Sequence, residues 1–135
     1  MFSQATVLID RDPKEVYRVI AHMKTQLKFW EQLIIPDLDS LPDDAGEVQG
    51  AYDSRYSNSP CMITVHQSRP GAGIVTRVQS SLGELAAEWR VIDENGRTKV
   101  EINIEGQGGG FASNINVRQI APRILARLKQ YFDRS

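Results

Sequence analysis

The sequence lacks several features that would restrict its function. Its single cysteine, Cys61, excludes an intramolecular disulfide, and no C-x-x-C or histidine-rich cluster suggests a metal site. No apolar run approaches the roughly 18 residues that a membrane-spanning helix needs, and the first residues lack the pattern of an export signal. With 16 basic and 17 acidic residues, the net charge of −1 gives no strong field to attract nucleic acid. We therefore expect a cytoplasmic protein with no metal, cofactor, nucleic-acid partner or membrane span.

The end of the chain predicts a long amphipathic helix from Asn114 to Phe132. An advance of about 100° per residue places its apolar side chains on one arc and its charged and amide side chains opposite. The apolar arc comprises Val117, Ile120, Ala121, Ile124, Leu125, Leu128, Tyr131 and Phe132. Pro122 falls on the solvent side, so we predict a kinked helix at this position. A helix this amphipathic needs a broad apolar surface on which to pack.

Most of the preceding residues predict strands separated by turn signals. Gln4 to Asp10 alternates as a first strand, after which Asp12 is predicted to cap one short helix and Thr25 a second. Six more strands are predicted at Leu33–Leu41, which Pro36 breaks, and at Glu47–Ser57, Cys61–Ser68, Ile74–Ser81, Leu85–Asp93 and Arg97–Glu105. Asn95-Gly96 is the strongest turn signal because this pair readily adopts positive φ at both central positions. A chain of 135 residues suits one domain, so we expect a single domain spanning residues 1–135.

This order of elements resembles the START-like, or SRPBCC, superfamily of polyketide cyclase/dehydrase and lipid-transfer proteins. The carriers of the resemblance are Ala5–Asp10 followed by Asp12–Tyr17, which is similar to the opening x-P-x-x-V-[WY] pattern, then Trp30, Gly46–Gly50 and Leu125–Tyr131. The resemblance implies an α+β, helix-grip fold. In that fold a seven-stranded antiparallel curved sheet wraps around a long C-terminal helix, and two short helices follow strand 1. It also implies a deep apolar cavity between sheet and helix, for lipids, polyketides, sterols or other hydrophobes.

Strand parity and the helix face indicate which side chains would line that cavity. The candidate ligand-binding residues are Trp30, Tyr52, Tyr56, Trp89, Ile102, Ile120, Ile124 and Leu128. Each indole offers a flat apolar face and one N–H that needs a partner, and the two tyrosines lie on one face of a strand. Ordinary core packing is the alternative for all of them. His22 and His66 have no carboxylate or second histidine at catalytic spacing, so we assign no catalytic residue.

The expected function is the binding or carrying of a small hydrophobic ligand, such as a lipid or polyketide. Two alternatives stay open: a polyketide cyclase or aromatase that uses one or two polar groups for proton transfer, and a protein-interaction module. Against an enzyme, the pattern shows no inward acid–base pair. The sequence leaves both a monomer and a homodimer possible.

Overall fold

Strands make up the largest share of the computed structural model, which describes residues 2–43, 45–53, 58–81, 83–107 and 117–134. The strands are β1 (Phe2–Ile9), β2 (Leu33–Ile34), β3 (Glu47–Asp53), β4 (Asn58–Arg69), β5 (Gly73–Ser80), β6 (Gly83–Glu94) and β7 (Arg97–Gln107). The α-helices are α1 (Pro13–Ala21), α2 (Met23–Leu27) and α3 (Ile120–Asp133). Short 3-10 turns lie at Leu38–Ser40 and Val117–Gln119. The predicted order of one strand, two helices, six strands and a long helix is confirmed.

The seven strands form one antiparallel sheet in the order β1-β7-β6-β5-β4-β3-β2. Strands β2 to β7 follow one another as a meander, and β1 pairs with β7 along its whole length. The turn between β6 and β7 has φ of 57° at Asn95 and 88° at Gly96, the positive values that a two-residue hairpin requires. The predicted seven-stranded, curved antiparallel sheet is therefore confirmed.

Alternation along the strands sends one set of side chains to a single buried face. This inward set includes Ile9, Val48, Tyr52, Cys61, Ile63, Ile74, Thr76, Val78, Leu85, Ala87, Trp89, Val91, Val100, Ile102 and Ile104. On the other face of the sheet, Arg77 pairs with Glu84 at 2.7 Å and Arg90 lies 3.9 Å from Glu101. The strand parity predicted from the sequence is confirmed for the candidates Tyr52, Trp89 and Ile102, which are buried, and the charged Arg77 and Arg90 lie on the other face.

Helices cover the inward face of the sheet in two parts. Helix α3 lies across β1 and β7, while α1 packs against β4, β6 and β7. The buried residues of α3 are Ile120, Ala121, Ile124, Leu125, Leu128 and Phe132. The predicted apolar face is thus confirmed for these six positions. Tyr131 differs, because 43 % of it is exposed. Its ring packs edge-on against Phe29, with 5.8 Å between centroids, at the border of the helix.

Helix α3 begins later than the sequence predicts. The α-helix starts at Ile120, directly after the 3-10 turn, and the predicted cap Asn114 lies outside the described residues. Pro122 is therefore in the first turn, where a backbone N–H has no acceptor within the helix. The missing N–H of Pro122 breaks no hydrogen bond within the helix there. The reason for which the sequence predicted a kink at Pro122 therefore does not apply.

Side chains near the start of the sequence hold both ends of α3. The Ser3 hydroxyl accepts a hydrogen bond from the Ala121 N–H at 3.0 Å and donates one to the Arg118 carbonyl at 3.1 Å. At the other end, the Arg11 guanidinium donates to the Phe132 carbonyl at 2.9 Å and lies 5.8 Å from the centroid of that ring. The helix is therefore anchored to β1 and to the segment that follows it.

The two short helices begin at different kinds of residue. The predicted cap of α1 is confirmed, because Asp12 Oδ1 accepts a hydrogen bond from the Lys14 N–H at 2.8 Å. The predicted cap of α2 is wrong, since that helix begins at Met23, two residues before Thr25. His22 is extended and separates α1 from α2 by a single residue, so the second helix starts as soon as the first ends. Thr25 lies inside α2, with its hydroxyl 3.2 Å from His22 Nδ1.

The strand predicted from Leu33 to Leu41 is much shorter in the structure. Only Leu33–Ile34 pairs with β3, and the chain then turns into the 3-10 segment Leu38–Ser40. Pro36 removes a backbone donor, and Asp37 has a left-handed φ of 53°, which an extended strand does not allow. The prediction was therefore wrong beyond Ile34. The sheet edge at β2 is only two residues long.

Candidate functional site

The candidate ligand-binding side chains lie in the interior between the sheet and the helices. Tyr52, Trp89, Ile102 and Leu128 are fully buried, with 0 % exposed. Trp30, Ile120 and Ile124 are also buried, and the seven residues belong to one continuous cluster of packed apolar side chains. Tyr56, the eighth candidate, lies outside the described residues. The structure therefore brings the described candidates together in one buried region.

Strand register arranges the middle of this region in two adjacent rows. One row crosses the sheet from Ile74 on β5 through Trp89 on β6 to Ile102 on β7. The next row contains Thr76 on β5, directly opposite Ala87 on β6. Because inward positions on a strand are two residues apart, Thr76 lies diagonally from Trp89 on the same face.

A buried amide joins three elements beside these rows. Gln26 of α2 is fully buried, and its Nε2 donates a hydrogen bond to the Ile20 carbonyl at the end of α1, at 2.9 Å. Its Oε1 accepts two, from Thr76 Oγ1 at 2.6 Å and from Trp30 Nε1 at 3.2 Å. A buried polar network that is satisfied in this way fixes the positions of its members. Trp30 is consequently held between α2 and β5.

The sequence analysis missed both Gln26 and Thr76, although signals for each exist. Thr76 lies between Ile74 and Val78, which parity places inside, so the same parity buries Thr76. Gln26 is three residues after Met23 and four before Trp30, so helical spacing puts it on their face. What the sequence does not give is the pairing, which joins residues 50 positions apart.

The structure separates the two tryptophans by what their N–H groups contact. Trp30 Nε1 donates to Gln26, whereas Trp89 Nε1 is buried and has no hydrogen-bond partner among the described residues. The Gln32 side-chain oxygen is the other buried polar side-chain atom without a partner in the described part of the chain. A buried donor that makes no hydrogen bond costs about 1–3 kcal/mol. Trp89 is therefore an unused donor on the inner face of the sheet.

No carboxylate, histidine, lysine or arginine is among the buried residues of the described part of the chain. The buried residues with polar side chains are Ser3, Gln26, Ser59, Thr76 and Thr98, and the buried groups that can ionise are the phenols of Tyr17 and Tyr52 and the thiol of Cys61. Burial raises the pKa of the Cys61 thiol and so favours its protonated form. The described residues contain no cluster of histidine, cysteine and carboxylate groups that could hold a metal ion.

No helix in the described part of the chain is long and apolar enough to cross a membrane.

The described elements are a curved sheet, two short helices and a long helix across the sheet, which together form the START-like, helix-grip fold. The fold that the sequence resemblance implied is therefore confirmed.

Comparison with known proteins finds this fold in solved structures, while no protein-family model or curated protein sequence matches significantly. A START superfamily protein from Mycobacterium smegmatis matches with a TM-score of 0.66 and 8 % identity, over 98 % of this chain and 97 % of that one. Ara h 8.0201 matches with a TM-score of 0.64 and 8 % identity, over 100 % and 99 %. DynU16, from the dynemicin biosynthetic locus, matches with a TM-score of 0.63 and 16 % identity, over 98 % and 47 %. At such identities the likeness shows the fold alone.

Proposed function

We propose that the protein binds a small, largely apolar ligand between the sheet and α3, and that Trp89 donates a hydrogen bond to an acceptor atom of that ligand. The observation that carries the proposal is the unpaired indole N–H, which is fully buried on the inner face of the sheet. The surrounding apolar cluster supplies the rest of the binding surface. Ligands of this kind are a lipid, a polyketide or a related molecule with at least one carbonyl, ether or hydroxyl oxygen.

Two terms of different size would determine affinity. Burial of the ligand's apolar surface contributes about 25 cal/mol per Å² before the costs of association, and it does not distinguish one hydrophobe from another. The Trp89 hydrogen bond supplies the distinction. A ligand with a correctly placed acceptor would bind better than its hydrocarbon analogue by about 1–3 kcal/mol, or roughly 5- to 150-fold.

Entry of a ligand requires the buried cluster to open. Helix α3 covers β1 and β7, and α1 covers the neighbouring part of the sheet, so side chains now in contact would have to separate. The hydrogen bonds of Ser3 and Arg11 hold the two ends of α3. Movement of the middle of the helix, or of the side chains beneath it, is therefore the route that disturbs the fewest of these contacts.

Native mass spectrometry of protein purified from its host tests the function directly, since a retained hydrophobe should be detected. Binding of a long-chain methyl ketone is then compared with binding of the alkane of the same length. The variant Trp89→Phe should lose most of the preference for the ketone and keep its affinity for the alkane. The matched control Trp30→Phe should keep the preference, because the Trp30 N–H is already paired with Gln26.

Failure to retain or bind any compound from a lipid and polyketide library would contradict the proposed function. Equal losses of ketone and alkane affinity in Trp89→Phe would remove the hydrogen bond from the proposal. The cyclase or aromatase and the interaction module are not favoured by any contact or charged group that the described residues show. We therefore propose ligand binding alone.

A further inference from the structure

A recess lies on the outside of the protein, between the segment that follows α2 and the last turns of α3. Its volume is about 600 Å³, which is within the range of small-molecule sites. It is lined by Lys28, Phe29, Arg127, Gln130, Tyr131 and Arg134. We call it the outer groove. It shares no residue with the interior candidates Trp89, Ile102 and Tyr52.

The outer groove is positively charged on a protein whose net charge is −1. Three of its lining residues are cations and none is acidic. Glu31 lies 3.0 Å from Arg127, and Asp39 lies 3.4 Å from Lys28, but both pairs are partly exposed and neither acid lines the groove. Arg134 makes no ion pair with any residue that the structure describes. The charges of this groove are therefore incompletely neutralised.

Contacts hold one of these cations in place. Arg127 Nη2 lies 3.0 Å from Glu31, and its Nη1 is 3.5 Å from the Lys28 carbonyl. Glu31 also lies 3.6 Å from Arg123, one turn earlier in α3. The Arg127 guanidinium consequently loses little freedom when it binds an anion, which reduces the entropic cost of recognition.

Aromatic rings form the other part of the groove. The Phe29 and Tyr131 rings meet at 71° with centroids 5.8 Å apart. Phe29 is buried, whereas Tyr131 is 43 % exposed although the helix pattern places it with the apolar arc. The Tyr131 hydroxyl has no hydrogen-bond partner in the described part of the chain. The groove therefore offers a flat apolar surface and a free hydroxyl beside the cations.

We propose that the outer groove is a second ligand site, which binds a small organic anion whose carboxylate, sulfonate or phosphate group is attached to a flat apolar ring. The anionic group would lie between Arg127 and Arg134, with Lys28 close by. The ring would pack against Tyr131. This site is independent of the interior and remains if the interior binds nothing.

The test uses 2-naphthoate as the probe, with the neutral 2-naphthylmethanol and inorganic phosphate as comparisons, each titrated by calorimetry into the full chain. Naphthoate should bind about tenfold or more tightly than either comparison, because only it offers both a charge and a ring. Its affinity should fall as salt rises. Arg134→Gln should weaken naphthoate binding about tenfold, the loss expected for one charge-assisted hydrogen bond.

Lys129→Gln is the matched control, because Lys129 is a half-exposed cation of α3 that pairs with Asp133 at 3.5 Å and does not line the groove. It should leave the affinity for naphthoate unchanged. Tyr131→Ala should weaken naphthoate and naphthylmethanol to the same extent, since it removes the ring contact and no charge. Circular dichroism of each variant confirms that the fold is retained.

Three results would overturn the proposal. One is the lack of naphthoate binding at millimolar concentration, and another is an equal loss in Arg134→Gln and Lys129→Gln, which would show a general charge effect. The third is a loss of naphthoate binding in Trp89→Phe but not in Arg134→Gln, which would place the probe in the interior. If the first result is accompanied by binding to vesicles of anionic phospholipid, the groove is a membrane-binding surface and not a small-molecule site.

Discussion

Gln26 should be one of the most sensitive positions in the protein, and Gln26→Met tests this with little change in side-chain shape. The substitution removes an amide that is fully buried and that makes three hydrogen bonds. Methionine fills a similar volume, so the space left behind is small. What remains is a group of buried polar atoms that have lost their partner: the Trp30 N–H, the Thr76 hydroxyl and the Ile20 carbonyl.

The expected loss of stability follows from counting those atoms. Each buried polar group left unpaired costs about 1–3 kcal/mol. Partial relief is available, because the Thr76 hydroxyl can rotate and the Ile20 carbonyl is near a helix end. The gain from burying a more apolar side chain offsets about 1 kcal/mol. We therefore expect the free energy of unfolding to fall by about 3 kcal/mol, and the melting temperature by about 10 °C.

Urea denaturation of four proteins provides the measurement: wild type, Gln26→Met, Thr76→Val and the double variant. Thr76→Val should cost about 1–2 kcal/mol, because Trp30 still satisfies the Gln26 oxygen. The two changes should be less than additive by about 1 kcal/mol, since they share one hydrogen bond. Gln79 is exposed on the outer face of β5, so the control variant Gln79→Met should change the free energy of unfolding by less than about 0.5 kcal/mol. A loss below that value in Gln26→Met, or full additivity, would refute the network as a stabilising element.

Two further predictions concern the β2 to β4 side of the sheet. Gly50→Ala places a Cβ 2.7 Å from the Ile34 carbonyl oxygen, so the free energy of unfolding measured in urea should fall by about 1–3 kcal/mol. The control Gly46→Ala should be nearly neutral, because its Cβ meets nothing within 4 Å. Equal losses in the two variants would contradict this prediction. Burial raises the pKa of the Cys61 thiol, so the folded protein favours the neutral thiol. The contribution of Cys61 to the free energy of unfolding should therefore be complete below the unfolded thiol pKa of about 8.5, and it should decrease as the pH rises towards the folded pKa. Relative to Cys61→Ala, the wild type should therefore lose stability above about pH 8.5, and iodoacetamide should modify the native thiol far more slowly than the urea-unfolded one.

Local rules predicted most of the fold because its strands are regular. The alternation of Thr98, Val100 and Ile102 fixes the face of β7, and the Asn95-Gly96 pair fixes the hairpin before it. Asp12 at the start of α1 is a cap that needs only its own neighbours. Features of this kind depend on residues close together in the chain, and the structure confirms each of them.

Predictions failed where a distant contact or a backbone torsion decides the structure. The predicted strand does not continue beyond Ile34, because Pro36 and the left-handed φ of Asp37 interrupt the extended chain, and that φ follows from no strong sequence signal. The cap of α2 was misplaced because a threonine can be an N-cap or an ordinary helix residue. The Gln26 network was missed because it joins α2 to β5, and a period of two or 3.6 residues carries no information about such pairing.

The structure distinguishes the two candidate tryptophans by their hydrogen bonds, which the sequence alone does not. Both indoles are buried, so composition and parity treat them alike. Gln26 satisfies Trp30, which leaves Trp89 as the indole whose N–H is unpaired in the described residues. A phenylalanine would avoid the roughly 1–3 kcal/mol that this donor costs in the ligand-free protein. A ligand with an acceptor atom would recover that free energy on binding. The unpaired Trp89 N–H would therefore lower the stability of the ligand-free protein and increase its affinity for ligands that accept a hydrogen bond from it.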